Sequence, residues 1–335
     1  MKIAIVGCGA LGSFYGAKLC RAGHEVHFLL RSDYAAVREH GVTIHSPDGD
    51  FQVRPHCART PEEIGCCDAV LIGLKTTANS QFPKFLPPLA GPHTAVVTLQ
   101  NGLGNEEQLA RIFTPEQVMG GLCFVCLNRI APGVIRTMAQ GKVVLGEFLR
   151  PPQPRTHELV HLFNDAGVRC EATDNLARTH WEKLVWNVPF NGLGVAGVAG
   201  YEAMIFAPAP TPAAFASVLT TDKLLGDLRW ENLVRELMAE VITAANALGL
   251  GVSPALAGKQ ITRTRTMGAY KASTLIDFER RQPLELESMF LEPLRQAQAA
   301  GVATPRLARL CEVLQRLDRQ PGLTPPSAGC PCNTP

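Results

Sequence analysis

No stretch constrains this chain more than its first thirty-one residues, Met1 to Arg31. Lys2-Ile3-Ala4-Ile5-Val6 is a β-branched run without a breaker, the pattern of a strand buried on both faces of a parallel sheet. It passes directly into Gly7-Cys8-Gly9-Ala10-Leu11-Gly12 and then into residues 13–22, which suit a helix. Strand, G-x-G-x-x-G and helix in that order are the context a dinucleotide-binding turn requires. Gly7 permits the tight turn, Gly9 lets a pyrophosphate approach the backbone, and Gly12 lets the helix pack closely on the strand. Around Cys8, Ala10 and Leu11, the N–H groups and dipole of the helix start face the phosphates. A second strand, residues 25–30, follows the turn at Gly23 and runs into Arg31-Ser32.

The residue ending that second strand selects the coenzyme. A ribose 2′-hydroxyl calls for Asp or Glu there, whereas a 2′-phosphate calls for a cation. Arg31 and Ser32 offer a guanidinium fork and a hydroxyl, and the carboxylate of Asp33 comes only two positions after Arg31. Charge-assisted hydrogen bonds contribute roughly 1.5–3 kcal/mol each, enough to shift coenzyme preference by about one to two powers of ten. The expected cofactor is NADPH/NADP.

At 335 residues the chain is longer than one such unit and fits two domains. With 46% apolar and 19% charged residues it has ample material for a core. A formal net charge of +2 without a dense Lys/Arg block gives no electrostatic case for nucleic acid. Lys2 ahead of an apolar run imitates a signal peptide, but the glycines there belong to the turn, and no long apolar run could span a bilayer. The expected location is the cytoplasm. Among eleven cysteines, Cys66-Cys67 are adjacent, Cys123 and Cys126 form C-x-x-C, and Cys330 and Cys332 form C-x-C. Cys123 and Cys126 fall inside one apolar strand-like run, residues 118–127, with no second pair at zinc spacing. They read as buried reduced thiols, and no metal is expected.

Further along, residues 42–45 and 51–54 flank Pro47-Asp48-Gly49 as a hairpin. Thr60-Pro61-Glu62-Glu63 starts a short helix with a capping residue ahead of proline. Residues 68–74 form a buried strand ending at Lys75, and 94–99 another ending at Gln100-Asn101-Gly102. With helices between them, these strands predict an α/β fold: a Rossmann-type, doubly wound parallel sheet at the N-terminus. Ligands of such sheets sit beyond the carboxyl ends of the strands, which puts Lys75 and Asn101 on the rim of the glycine turn. Short strands follow at 134–138 and 142–145, residues 151–154 lead into a helix, and 168–170 form an edge strand. Beyond about Thr173 the pattern is all-helical. Residues 231–248 carry Leu233, Leu237, Val241, Ala244 and Leu248 on one stripe, stopped by Gly249. The expected domains are 1–172 and 173–319, with a rigid connector at 207–212 and a disordered Pro/Gly/Ser-rich tail at 320–335.

Two segments of the helical half offer polar chemistry. Lys183, Asn187 and Asn191 recur every four residues and share one face of a helix, amid Trp and Val. Partial desolvation of that lysine would lower its pKa toward neutrality and suit it as a general acid. Taken alone, the same spacing also describes a surface lysine with two amides. The second segment holds Ser273, Asp277 and, after Pro283, Glu285. Pro283 predicts a helix start, with Glu285 in the first turn, where a carboxylate is favoured.

From Met1 to about Leu317 the chain resembles the ketopantoate reductase (2-dehydropantoate 2-reductase) family. The likeness rests on Gly7 to Gly12, Arg31, Leu74-Lys75, Asn101-Gly102-Leu103-Gly104, Trp181-Glu182-Lys183-Leu184 with Asn187 and Asn191, and Ser273, Asp277 and Glu285. The resemblance implies a Rossmann domain plus a helical domain, NADPH in the cleft between them, and reduction of a small 2-keto acid to the 2-hydroxy acid. It implies that Lys183 is the general acid and that Glu285 contacts the lysine or the substrate hydroxyl. It also implies that Asn187, Asn191 and Ser273 hold the substrate, with Lys75 and Asn101 at the nicotinamide end. A homodimer through the helical half is the expected assembly. The sequence departs from the family in the substrate half. Asn191-Gly192 replaces Asn-Pro, Leu284 replaces Thr, and Leu286-Glu287 and Phe290-Leu291 replace Ile-Asp and Asn-Gly. A paralogue reducing another 2-keto acid, or a non-catalytic NADP(H)-binding regulator, are the alternative readings.

Overall fold

In the computed structural model, residues 1–139, 141–206 and 217–319 are described, and the chain divides into two compact units, Met1–Thr179 and His180–Pro335. The expected connector at 207–212, the tail at 320–335 and the Cys330/Cys332 pair lie outside the described residues.

The first unit is built on twelve strands: β1 (Lys2–Val6), β2 (Glu25–Leu29), β3 (Val42–His45), β4 (Phe51–Val53), β5 (His56–Ala58), β6 (Cys67–Ile72), β7 (Ala90–Thr98), β8 (Val118–Cys123), β9 (Cys126–Ala131), β10 (Val134–Ala139), β11 (Val143–Glu147) and β12 (Cys170–Ala172). Eight of them form one sheet in the order β12-β11-β8-β7-β6-β1-β2-β5, and β4-β3-β10-β9 form a second. β1 pairs in parallel with β2 from Lys2↔Glu25 to Val6↔Leu29, and with β6 from Ile3↔Ala69 to Val6↔Ile72. Its alternate residues enter two different cores. Ile3 and Ile5 pack with Phe14, Tyr15 and Phe28, while Ala4 and Val6 pack with Val70, Ile72 and Phe82. That two-sided burial is why the run is apolar at successive positions. The chain winds outward from β1 through β2 to β5, then returns to β6 on the other side, so the glycine turn after β1 stands at the point where the winding reverses.

One sequence expectation is corrected, and two features add to the reading. The edge strand β5 was not anticipated, because three residues are too few to show a period. The sheet is not wholly parallel: β8 and β11 run antiparallel. Residues 118–127 are two strands in two sheets, so Cys123 and Cys126 do not share one strand. The break comes where β8 runs out of partner: Cys123 pairs with Val143, the Phe124 N–H turns to the Lys142 carbonyl (2.8 Å), and Cys126 begins the β9–β10 hairpin. Cys123 is buried, Cys126 half-buried, and neither is in a disulfide.

A buried carboxylate closes the end of β11. Glu147 is 1% exposed and accepts from Arg155 (2.6 and 2.9 Å), Arg150 (2.9 and 3.1 Å) and Thr156 Oγ1 (2.6 Å). Burial by itself would raise its pKa, but the hydrogen bonds from Arg155, Thr156 and Arg150 outweigh it and hold the carboxyl below the usual range. Such a group stabilises the fold fully above the ordinary glutamate value of 4.5 and loses that contribution as pH falls through its lowered folded value. Glu147→Gln is therefore expected to cost about 3 kcal/mol at neutral pH. In thermal unfolding, the gap between variant and parent should narrow on acidification below the usual glutamate range.

The second unit is helical. Its elements are Leu176–Ala196 (which begins within the first unit's residues), Tyr201–Ile205, Thr221–Gly226, Leu228–Ala247, Ala255–Arg265, Ser273–Glu279, Glu292–Ala299 and Pro305–Asp318. Leu233, Leu237, Val241 and Ala244 are buried as the stripe predicts, but Leu248 lies past the helix end and is 40% exposed. No helix of the described residues is long and apolar enough to cross a membrane.

Candidate functional site

The glycine turn divides its labour among three positions. Gly7 adopts φ +96°, and a Cβ built on it would lie 2.3 Å from the Leu74 amide nitrogen, so this residue lets the loops after β1 and β6 touch. A Cβ on Gly12 would lie 2.3 Å from the Gly7 carbonyl oxygen and 3.1 Å from Ile5 Cγ2, which is the close helix–strand approach. A Cβ on Gly9 would meet nothing within 4 Å. Gly9 precedes the helix Ala10–Arg21, whose first N–H groups have no acceptor within the helix. Open space ahead of a positive helix end fits a pyrophosphate, and this is the residue-level basis for a dinucleotide here. Cys8 offers only its backbone. Its thiol is turned inward toward the Ile5 and Leu29 carbonyls (3.5 Å each), and burial pushes its pKa well above the ordinary value.

At the end of β2, Arg31 and Ser32 are exposed. Asp33, the nearest carboxylate, is 6% exposed and already engaged. It accepts from Arg129 Nη2 (2.7 Å), the Gly133 N–H (3.3 Å) and Ser32 Oγ (2.9 Å). The acid that could have favoured a ribose hydroxyl is thus tied to β9 and to the β9–β10 turn.

On the same rim, Lys75 follows β6 and is exposed, while Asn101 follows β7 and is half-buried. A chain of buried amides links the two loops, and sequence reading did not find it. Gln100 Nε2 donates to the Leu74 carbonyl (3.0 Å) and to Asn79 Oδ1 (2.8 Å), and Thr98 Oγ1 donates to Gln100 Oε1 (2.9 Å). Asn79 Nδ2 donates to Asn105 Oδ1 (3.0 Å), whose Nδ2 donates to the Asn101 carbonyl (3.2 Å). These residues fix the backbone on either side of Lys75 and Asn101. Being spread over residues 79–105 with no period, they leave no local signal.

In the second unit, Lys183, Asn187 and Asn191 lie on the helix Leu176–Ala196, which carries Pro189 internally. Lys183 is half-buried, Asn187 is 7% exposed and Asn191 2%. Asn191 Oδ1 accepts from the Thr274 N–H (3.1 Å) and Ser273 Oγ (3.4 Å), so two distant sequence candidates meet at the start of the helix Ser273–Glu279. Glu285 is 7% exposed. It lies before the helical segment rather than in its first turn, because residues 282–285 run irregularly and helix begins at Leu286. The segment then passes through a π-helical turn, Glu287–Leu291. The departures Gly192 and Phe290 belong together: a Cβ on Gly192 would lie 2.5 Å from Leu310 Cδ2 and 3.0 Å from Phe290 Cε1. Phe290 is 1% exposed and Leu284 4%, so these apolar residues fill core.

With this geometry in place, the comparisons decide the family. The profile of the family described as Ketopantoate reductase PanE/ApbA matches residues 3–150, and that of its C-terminal region matches residues 175–318. The chain belongs to the ketopantoate reductase family. Ketopantoate reductases are oxidoreductases that act on CH–OH groups with a nicotinamide coenzyme. A 2-dehydropantoate 2-reductase of Nostoc sp. is 38% identical over 327 residues, 95% of each chain. The crystal structure of 2-dehydropantoate 2-reductase from Geobacter metallireducens superposes with a TM-score of 0.85 and 42% identity, over 94% of this chain and 99% of that one. D-mandelate dehydrogenase bound to NADH and anilino(oxo)acetate superposes with a TM-score of 0.80 at 19% identity, over 95% of this chain and 98% of that one, a likeness of fold alone.

Proposed function

We propose that this protein is an NADPH-dependent 2-dehydropantoate 2-reductase, converting ketopantoate to pantoate for pantothenate biosynthesis. The observation that carries this reading is the end-to-end match to the Nostoc and Geobacter reductases. Residues 1–172 are assigned to the coenzyme and 173–319 to substrate and proton transfer. Gly7 to Gly12 receive the pyrophosphate, Arg31 and Ser32 the 2′-phosphate, and Lys75 and Asn101 border the nicotinamide.

When bound, a reduced nicotinamide would supply a hydride for the keto carbon. The side chains supply the rest. The Lys183 ammonium attracts the substrate carboxylate, stabilises charge developing on the keto oxygen, and gives that oxygen a proton. Glu285 contacts the lysine or the new hydroxyl. Asn187, Asn191 and Ser273 hold the substrate. For Asn191 the amide nitrogen takes that part, since its oxygen already accepts from Thr274 and Ser273.

The packing of Gly192 against Phe290 and Leu310 places two of this chain's departures from the family in core, and Lys183, Asn187, Asn191, Ser273 and Glu285 are all retained. Together with the 38% identity to the Nostoc reductase, the retained polar set favours ketopantoate as the substrate. Loss of NADPH absorbance tests the reading, with ketopantoate, ketoisovalerate and larger 2-keto acids compared. The highest kcat/KM is expected for ketopantoate. A higher value for another acid overturns the substrate, and no oxidation by any of them overturns catalysis.

A further inference from the structure

We propose that Arg59 is a second cation for the adenosine 2′-phosphate, held ready by Tyr34 and specific to the phosphorylated coenzyme. The inference rests on the NADPH reading above and adds a residue to it. β5 runs parallel to β2 in the register His27↔His56, Phe28↔Cys57, Leu29↔Ala58, and the Leu30 N–H continues the ladder to the Ala58 carbonyl (2.9 Å). The next residues outward are Arg31 on one strand and Arg59 on the other, so backbone pairing delivers both to one edge of the carboxyl rim. Both are exposed.

The Arg59 side chain is oriented, not loose. Its guanidinium carbon lies 4.2 Å from the centroid of the Tyr34 ring, within the range of a cation–π contact. Tyr34 is in turn tied to the loop after β2, because its N–H donates to the Arg31 carbonyl (3.3 Å). Arg38 approaches the same ring at 5.9 Å and donates to the Tyr34 hydroxyl (3.5 Å). Two acids stand nearby. Asp33 is bound to Arg129 and the Gly133 N–H, and one Glu63 carboxylate oxygen accepts from the Arg59 backbone N–H (3.1 Å). Among the described residues, neither Arg31 nor Arg59 is in an ion pair. Two guanidinium groups on one rim, with Asp33 held by Arg129 and the Gly133 N–H and one Glu63 oxygen on the Arg59 backbone N–H, suit a dianionic phosphate and not a ribose diol.

Binding of adenosine 2′,5′-bisphosphate, 5′-AMP, NADPH and NADH to the wild type and to Arg59→Ala, Arg59→Lys and Arg31→Ala, followed by calorimetry, tests the proposal. Arg59→Ala should weaken the bisphosphate and NADPH about tenfold and leave 5′-AMP and NADH within about twofold. Arg59→Lys should recover part of the loss, since it keeps the charge and loses the fork. Equal weakening of 5′-AMP and the bisphosphate would make Arg59 an adenine-stacking residue and overturn the assignment. So would an unchanged NADPH affinity in Arg59→Ala while Arg31→Ala abolishes the preference, a result that leaves the NADPH reading standing. A wild type that binds NADH as tightly as NADPH would overturn that reading and this one with it.

Discussion

Lys183→Ala is expected to lower kcat for keto-acid reduction by about 10²–10⁴-fold, the usual worth of a positioned general acid. That corresponds to about 3–5 kcal/mol of transition-state stabilisation. NADPH affinity should stay within about twofold, because the residues assigned to the coenzyme are all in the first unit. The half-buried position of Lys183, between the fully packed Trp181 and Leu184, is the physical ground for the expectation. That position leaves enough of the side chain exposed for a substrate to be met. Lys183→Arg separates the two parts of the role. A guanidinium keeps the positive charge but does not release its proton, so KM should change less than kcat. Near wild-type turnover in Lys183→Ala would remove the residue from the mechanism.

How far such a site can be read from sequence depended on whether its signal is local. The β1–turn–helix order displays a buried strand, a positive-φ glycine and a helix start within twelve consecutive residues, and the rim positions of Lys75 and Asn101 follow from knowing where strands end. The four-residue spacing of Lys183, Asn187 and Asn191 is likewise a property of one helix. Contacts between distant segments left no such mark. Asp33 meets Arg129 and Gly133 almost a hundred positions later, which turned a carboxylate two residues beyond Arg31 from a competing signal into a structural anchor. Gln100, Asn79 and Asn105 have no periodicity, and only the fold assembles them. Where local rules were applied and failed, a tertiary reason is visible. Pro283 suggested a helix start, yet helix begins only at Leu286, in a segment where the Leu284 N–H donates to Asp318 Oδ1 (3.2 Å) instead. The apolar run 118–127 reads as one strand because Phe124 and Val125 contain no breaker, although the pairing of β8 with β11 ends at Cys123.

The two glycines at either side of Cys8 should respond to the same substitution in opposite ways, and that contrast tests the dinucleotide turn itself. Gly9→Ala places a methyl in open space on extended backbone with a negative φ of −75°, outside the left-handed region that excludes alanine. Its melting temperature should therefore match the parent within about 2 °C. The same methyl would occupy the volume assigned to the pyrophosphate and separate it from the helix N–H groups. Loss of one or two charge-assisted hydrogen bonds is expected to weaken NADPH by about 10- to 100-fold. Gly7→Ala meets backbone in place of space: the new carbon would sit 2.3 Å from the Leu74 nitrogen and 2.6 Å from the Gly73 carbonyl carbon, at φ +96°. No rotamer relieves such an overlap, so the loop after β1 must move away from the loop after β6. The cost should reach about 3 kcal/mol or more, lowering the melting temperature by roughly 6–12 °C. Thermal unfolding and NADPH titration of the two variants side by side decide the matter. A Gly9→Ala protein that binds NADPH like the parent would take the pyrophosphate out of this turn, because the substitution leaves every protein contact of the loop in place.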